Sequence, residues 1–385
     1  MFLLVVIAVG LVSGWLWIRR PSPPETPSSA VRPSVVPVPL PPTVRLPETS
    51  SVPPIAESPP PQPTPATPDP IAPPPPTNPP AVVVAPEVPS EPLPEPTVPW
   101  SPRPATNMLE TQVALAQIGI GSGPVDGVGG AQTEAALRAF QFREGLQESG
   151  SLDRDTRKAL RLHRAPLTRY EVTHTDLAQL SPVPDTWLGK SQVSTLGFAS
   201  LLELVGERTQ THPKLLRRLN PGVAWESVAP GTSLVVPDAS YPPPRRAALV
   251  RISLAGRHLR AYDEQGHLLV HFPVSIGRLA SKRPVGSLRV IVAIENPNYT
   301  FDPAVFPESE EGRRLGRKLV LPPGPNNPVG VAWIGLNRPG YGIHGTPVPE
   351  LVGRTESHGC FRLANWNADH LRRMVSVGTR VNVER

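Results

Sequence analysis

The first 18 residues, MFLLVVIAVGLVSGWLWI, contain no charged side chain. At about 1.5 Å per residue, a helix of this length nearly crosses a hydrocarbon core of about 30 Å. Residues 1–20 are therefore expected to form a membrane anchor or a signal segment. Regular patterning returns at Asn107. There "NMLETQVALAQIGI" places Leu109, Val113 and Ala116 on one helical face, "GSGPVDGVGG" interrupts, and "AQTEAALRAFQFREGL" resumes with Leu137, Phe140 and Gln141 in register. Thr133 reads as the N-cap of this second helix and Gly145 as its left-handed C-cap, and a third helix is predicted from near Asp155. Between 168 and 240 the pattern predicts an opening strand near Tyr170, a helix ending at Asn220-Pro221-Gly222, and a closing strand over Ser233–Val236. From Ala247 the chain turns to strands, with turns at Ala255-Gly256 and Glu264-Gln265-Gly266 and a further strand in "LRVIVAIEN". One helix interrupts them, predicted to be capped by Asn367 and to bury Leu371, Met374 and Val375, before the last alternating strand "TRVNVER". The chain thus reads as multidomain: a small three-helix domain (105–165), an α+β segment (168–240) and a mostly-β domain (247–385).

Composition explains the gap. Residues 21–104 hold 33 prolines in 84 positions. Such a run can form neither helix nor ladder and buries no core, so it is expected to be a disordered, largely extended tether. The formal charge of +6 is modest and no dense basic run stands out. No nucleic-acid partner is therefore expected, and an anionic wall polymer suits the charge equally well. The two arginines that follow the apolar run, Arg19 and Arg20, favour a cytoplasmic body by the positive-inside rule. That stands against the exported location which the rest of the chain suggests.

The chain has one cysteine, Cys360, in "TESHGCFRLAN". A single thiol excludes an intramolecular disulfide framework. Free cysteine is often an inert, small apolar side chain, but three local features point to chemistry. Gly359 allows a substrate backbone to approach closely, with neighbouring N–H groups available to an oxyanion. Two histidines, His344 and His358, lie sixteen and two positions upstream, and either imidazole is suited to take the thiol proton. Ser357 and Arg362 flank the site, and Arg362 suits a carboxylate. Together these suggest acyl transfer through a thioester. A zinc site built from His344, His358, Cys360 and His370 is disfavoured, because no Asp or Glu ligand stands at suitable spacing. No metal or cofactor is expected.

The same residues carry resemblances to known families. "YGIHGTPVPELVGRTESHGCFRLANWNA" resembles the active-site signature of the YkuD-type L,D-transpeptidases, as do "RPVGSLRV", "NPNYTFDP" and "LPPGPNNPVGVAWIGL" upstream. Phe361, where smaller apolar residues are common, and Pro347 are small departures. The resemblance implies Cys360 as nucleophile and His344 as general base and acid. It implies His358, Gly359, Ser357, Arg362 and Gly345 as substrate-binding or oxyanion residues. The implied reaction links the third residues of two peptidoglycan stem peptides, and carbapenems are expected to acylate the cysteine. An L,D-carboxypeptidase, attachment of a lipoprotein lysine to the wall, and a non-catalytic wall-binding protein are the alternatives. The spacing "Q..L…DG.GG..T..AL..FQ…GL" over 105–165 resembles a peptidoglycan-binding domain. The elements "Y.V…D", "LL..LNPG" and "PGTSLVVP" look like the ends of a glycan-binding LysM module, although the stretch from Ser181 to Thr211 is longer than such a repeat. Stem peptides and glycan are the implied partners, with the catalytic domain in the periplasm and the N-terminal segment in the inner membrane.

Overall fold

The computed structural model describes residues 100–354 and 359–385. The expected membrane segment and nearly all of the proline-rich tether lie outside the described residues. Among the described residues, no helix is long and apolar enough to cross a membrane.

The first module opens on a short strand, β1 (Arg103–Pro104), then carries α1 (Met108–Ala116), α2 (Ala131–Arg143), α3 (Arg154–Ala159) and β2 (Arg161–Leu162), which pairs antiparallel with β1. Trp100, inside the stretch expected to be tether, is held to this module: its indole donates to the Leu162 carbonyl at 3.2 Å. Val113, Leu115, Leu137 and Phe140 form the core, as the helical period requires. The expected cap at Thr133 is corrected. Gly130 occupies the N-cap in extended conformation, and Thr133 lies buried in the first turn. Its hydroxyl is committed elsewhere, accepting from the Gln112 amide at 3.3 Å. The polar members of the motif are loop locks. Gln112 donates to Asp126 and Val128 and accepts from the Asp126 and Gly127 N–H groups. Gln141 does the same for the loop before α3, donating to Ser149, Ser151 and Thr156 and accepting from Gly150 N–H. A buried carboxamide that satisfies four backbone or side-chain groups fixes a loop that no ladder holds. Gly145, at φ +67°, closes α2 in the left-handed region.

The second module is a two-stranded antiparallel sheet with helices between its strands: β3 (Leu167–Glu171), α4 (His174–Ala178), α5 (Trp187–Gln192), α6 (Leu201–Arg208), α7 (Pro213–Leu219) and β4 (Ser233–Pro237). Thr173 and Asp176 cap α4 reciprocally, and Asp176 is also paired with Arg208. Asn220 ends α7 and ties it to β4, donating to Leu216 and Val235 carbonyls and accepting from Val235 N–H. The "LNPG" signal therefore has a physical role.

The third module contains an eight-stranded sheet. Its strands are β5 (Leu249–Ser253), β6 (His258–Tyr262), β7 (Leu268–Pro273), β8 (Gly286–Glu295), β11 (Ala332–Leu336), β12 (Gly342–His344), β13 (Phe361–Arg362) and β14 (Arg380–Glu384), in the spatial order β13-β12-β11-β8-β14-β5-β6-β7. Between β8 and β11 the chain makes a separate hairpin, β9 (Tyr299–Phe301) with β10 (Leu319–Leu321), crossed by α8 (Glu310–Leu315). Helix α9 (Asn365–Met374) packs Leu371 and Met374 on the sheet core. The predicted cap at Asn367 is corrected: Ala364 is the N-cap and α9 starts three residues earlier than expected. Asn367 is buried, and its carboxamide oxygen accepts from Tyr241 Oη at 2.8 Å. Phe361 is wholly buried in this core, so the larger side chain is accommodated as packing.

The modules interlock. Residues 119–121 lie along β7, an edge strand, with Gly121 N–H donating to the His271 carbonyl at 2.7 Å and His271 N–H to that of Gly119 at 3.2 Å. The contact covers an edge that would otherwise be open to pairing. It also requires glycine at 119, where φ is +84° and a Cβ would meet the Leu269 carbonyl oxygen at 2.8 Å.

Candidate active site

Cys360 immediately precedes β13, and His344 closes β12. The two strands run parallel, with Ile343 opposite Phe361 and His344 opposite Arg362. Side chains alternate with period two, so Cys360 shares a face with Arg362 and therefore with His344. The position on β12 that leads to His344 on this face is Gly342, and a Cβ there would lie 2.6 Å from the Trp333 ring. Its absence lets Trp333, paired across the ladder from His344, stack on the imidazole with centroids 5.6 Å apart and planes 23° from parallel.

His344, Gly359, Cys360 and Arg362 all line one cleft of about 820 Å³. Its other walls include Tyr299, Phe306, Trp333 and Tyr341 from the third module and Trp187 from the second. The Cys360 thiol donates to the Gly340 carbonyl at 3.5 Å. The imidazole Nδ1 is 2.7 Å from the Gly345 carbonyl. A carbonyl only accepts, so Nδ1 carries the proton and the neutral ring keeps its lone pair on Nε2. Burial pushes the imidazole down to about 4, with the hydrogen bond to Gly345 opposing. Burial also raises the Cys360 thiol, which the Gly342 backbone and Arg362 partly offset. The Tyr299 hydroxyl is pushed up to about 12, mainly by burial and next by Cys360. At neutral pH the cleft therefore holds a neutral thiol and a neutral imidazole on one face.

Of the residues singled out in the sequence, Gly345 sits behind the cleft as the acceptor for His344. Ser357 and His358 lie outside the described residues. His370 is not in the cleft: it lies on α9, edge-on to Tyr241 and Phe272, so it cannot join a site with Cys360.

Comparison with known proteins decides the domain type. Residues 247–383 match the family model of the L,D-transpeptidase catalytic domain, YkuD, and residues 105–160 match that of a "Putative peptidoglycan binding domain". The C-terminal module is an L,D-transpeptidase catalytic domain. The chain is similar to "Putative L,D-transpeptidase YkuD" of Bacillus licheniformis, at 29% identity over 47% of this chain and 92% of that one. It is also similar to "Putative L,D-transpeptidase YqjB" of Bacillus subtilis, at 35% identity over 29% of this chain and 56% of that one. An L,D-transpeptidase from Mycobacterium smegmatis of solved structure aligns over 41% of this chain and 65% of its own, at 21% identity and a TM-score of 0.29.

Several residues of the transpeptidase cleft escaped sequence reading. Tyr299 and Trp333 lie in stretches that carry the family resemblance, "NPNYTFDP" and "VAWIGL", and a search for aromatics near the motif would have found them. Trp187 lies outside the domain altogether. Its only signal was the stretch between Ser181 and Thr211 that fitted no repeat. It enters the cleft because α5 docks on the β9–β10 hairpin, where Trp187 stacks on Phe301 with centroids 4.2 Å apart. Glu311 of α8 accepts the Trp187 and Leu188 N–H groups at 2.8 and 2.9 Å, capping α5 from the transpeptidase domain.

Proposed function

We propose that this protein joins the third residues of two peptidoglycan stem peptides through a thioester on Cys360. The observation that carries the reading is the β12–β13 register, which sets Cys360 and His344 on one face of one cleft. Cys360 sulfur attacks the carbonyl between the third stem residue and the terminal D-alanine while His344 Nε2 accepts the thiol proton. Backbone N–H groups at Gly359 and Cys360 receive the oxyanion. The tetrahedral species collapses, the C–N bond breaks, and the imidazolium returns its proton to the departing D-alanine amine. An amine of a second stem then attacks the thioester, giving its proton to His344, and the thiolate leaves and is reprotonated. One amide replaces another, so no ATP is consumed. Arg362, and the His358 and Ser357 side chains, are assigned to holding the stem peptide. The first module, and the LysM-like segment as a second contact, hold the enzyme on the wall glycan.

Stem peptides incubated with the protein should give crosslinked dimers and free D-alanine by mass spectrometry, and Cys360→Ser should abolish both. A folded Cys360→Ser protein with ordinary turnover would sink the proposal. Tripeptide without dimer would instead identify an L,D-carboxypeptidase, and a lysine adduct would identify a lipoprotein acceptor. Crosslinking substrate lies outside the inner membrane, so we place the catalytic domain in the periplasm, tethered by residues 1–20. A reporter active only after export, fused after Arg385, should be active; a silent one would return the body to the cytoplasm.

A further inference from the structure

Helix α6 of the second module carries a carboxyl group for which that module has no use. Leu201, Leu204 and Val205 face the module's own core, whereas Glu207 is 9% exposed and meets the transpeptidase domain. Both of its oxygens accept from the Asn365 Nδ2 group, at 2.7 and 3.0 Å. Asn365 opens α9, five positions after Cys360, and is 1% exposed. Its Nδ2 also donates to the Pro325 carbonyl at 3.1 Å. Its Oδ1 fills a space walled by two glycines. A Cβ on Gly345 would come within 2.2 Å of that oxygen, and one on Gly330 within 1.9 Å. Gly345 in turn supplies the carbonyl that fixes the His344 tautomer at 2.7 Å. A continuous set of contacts thus runs from α6 through Asn365 and Gly345 to the imidazole.

The groups that face Glu207 make its burial costly. Burial raises the Glu207 carboxyl to about 8, the Asn365 amide opposes this, and the nearby carboxyls of Glu203 and Glu350 raise it further. At neutral pH the acid is therefore largely protonated, as burial away from a charged partner requires, and it costs stability unless its oxygens are hydrogen-bonded. What this carboxyl does in the structure is orient one carboxamide. The neighbouring contacts keep α6 in place: Asn326 Nδ2 donates to Glu203 at 2.6 Å and to the Gly197 carbonyl at 2.8 Å, and Leu196 exchanges backbone hydrogen bonds with Pro323 and Asn326.

We propose that Glu207 is a positioning residue for the catalytic base: it holds Asn365, which packs against Gly345 and so fixes the His344 ring within the cleft. The second module is then a working part of the active site, not only a connection to the wall. This rests on His344 being the base, as assigned above, and the test separates the two claims.

The full chain would be compared with Glu207→Ala, Glu207→Gln, Asn365→Ala and His344→Ala. Acylation of Cys360 by a carbapenem would be followed by mass spectrometry, and the His344 Cε1–H resonance by NMR, its assignment given by its loss in His344→Ala. Glu207→Ala and Asn365→Ala should shift the His344 resonance and slow acylation about tenfold or more, less than the roughly 10²–10⁴-fold that outright loss of a general base costs. Glu207→Gln keeps an oxygen acceptor and should restore both the resonance and the rate to within about threefold of wild type, whereas a merely space-filling role would not require the acceptor. A normal His344 resonance in Glu207→Ala would overturn the inference, as would a Glu207→Gln protein as impaired as Glu207→Ala. If His344→Ala acylates at the wild-type rate, the base assignment fails, and the resonance still decides whether Glu207 positions the ring. Should Glu207→Ala not fold, Asn365→Ala and Glu207→Gln carry the same decision.

Discussion

Burial acts on Cys360 and His344 in opposite senses, and that sets how the thiol should respond to pH. The thiol is raised above its ordinary value of 9.0, so the thiolate fraction grows only as pH climbs through that raised value. The imidazole is lowered from 6.5 to about 4, so at neutral pH it is uncharged and offers no imidazolium to stabilise a thiolate. Alkylation of Cys360 by iodoacetamide should therefore be slow at pH 7 and rise towards alkaline pH, without the neutral plateau that a preformed thiolate–imidazolium pair produces. A plateau across neutral pH, lost in His344→Ala, would show that the pair is charged at rest. At this scale the sequence was informative where chemistry is local. Cys360 is the sole thiol and stands in a dense motif, and the choice between His344 and His358 as base came from family resemblance. It was uninformative where a residue's partner lies far along the chain. Nothing near Asn365 in sequence reveals its partner Glu207, 158 positions earlier.

Elements with their own caps and periodicity were legible; elements stabilised from elsewhere were not. Helix α2 could be read from Leu137, Phe140 and the Gly145 stop, although its start was misplaced by three residues because the Thr133 hydroxyl serves Gln112 instead of the helix end. Helix α5 has six residues, none of them buried, and two of its first N–H groups are satisfied by Glu311. So short a helix does not stand alone in water, and although Thr186 caps it locally, accepting from Gly189 N–H at 3.0 Å, no local pattern announces the partner in another domain that satisfies its other N–H groups. The same docking makes α5 a brace for the β9–β10 hairpin, since Leu196, Phe301, Leu319 and Leu321 form one buried cluster with Trp187 packed on it. Trp187→Ala removes the ring stacked on Phe301 and one wall of the cleft. Amide exchange across residues 299–321 should then quicken, and the KM for stem peptide should rise severalfold with a smaller change in kcat, the signature of lost ground-state binding. Unchanged exchange and KM would show that the hairpin stands without its brace.

Across the whole molecule, the three modules are legible as separate composition blocks, but their interlocking is not, because each joint is made by backbone groups or by a few side chains far apart in sequence. Gly119–Gly121 covers the β7 edge, Tyr262 and Leu268 of the transpeptidase domain are buried in the first module's core, and Leu196 of the second module is buried in the hairpin cluster. A fragment of residues 247–385 would retain the eight-stranded sheet and the cysteine and lose all three covers. Each large apolar side chain returned to water costs about 1.5–3 kcal/mol, and for a domain of this size each kcal/mol lowers the melting midpoint by about 2–4 °C. The fragment should therefore melt about 5–15 °C below residues 100–385 measured in the same buffer. It should also be prone to association through the bared β7 edge, where residues 119–121 no longer lie. Differential scanning calorimetry and light scattering on the two proteins would check this. Equal midpoints with a monomeric fragment would mean that the modules are merely adjacent and that the transpeptidase domain is self-sufficient.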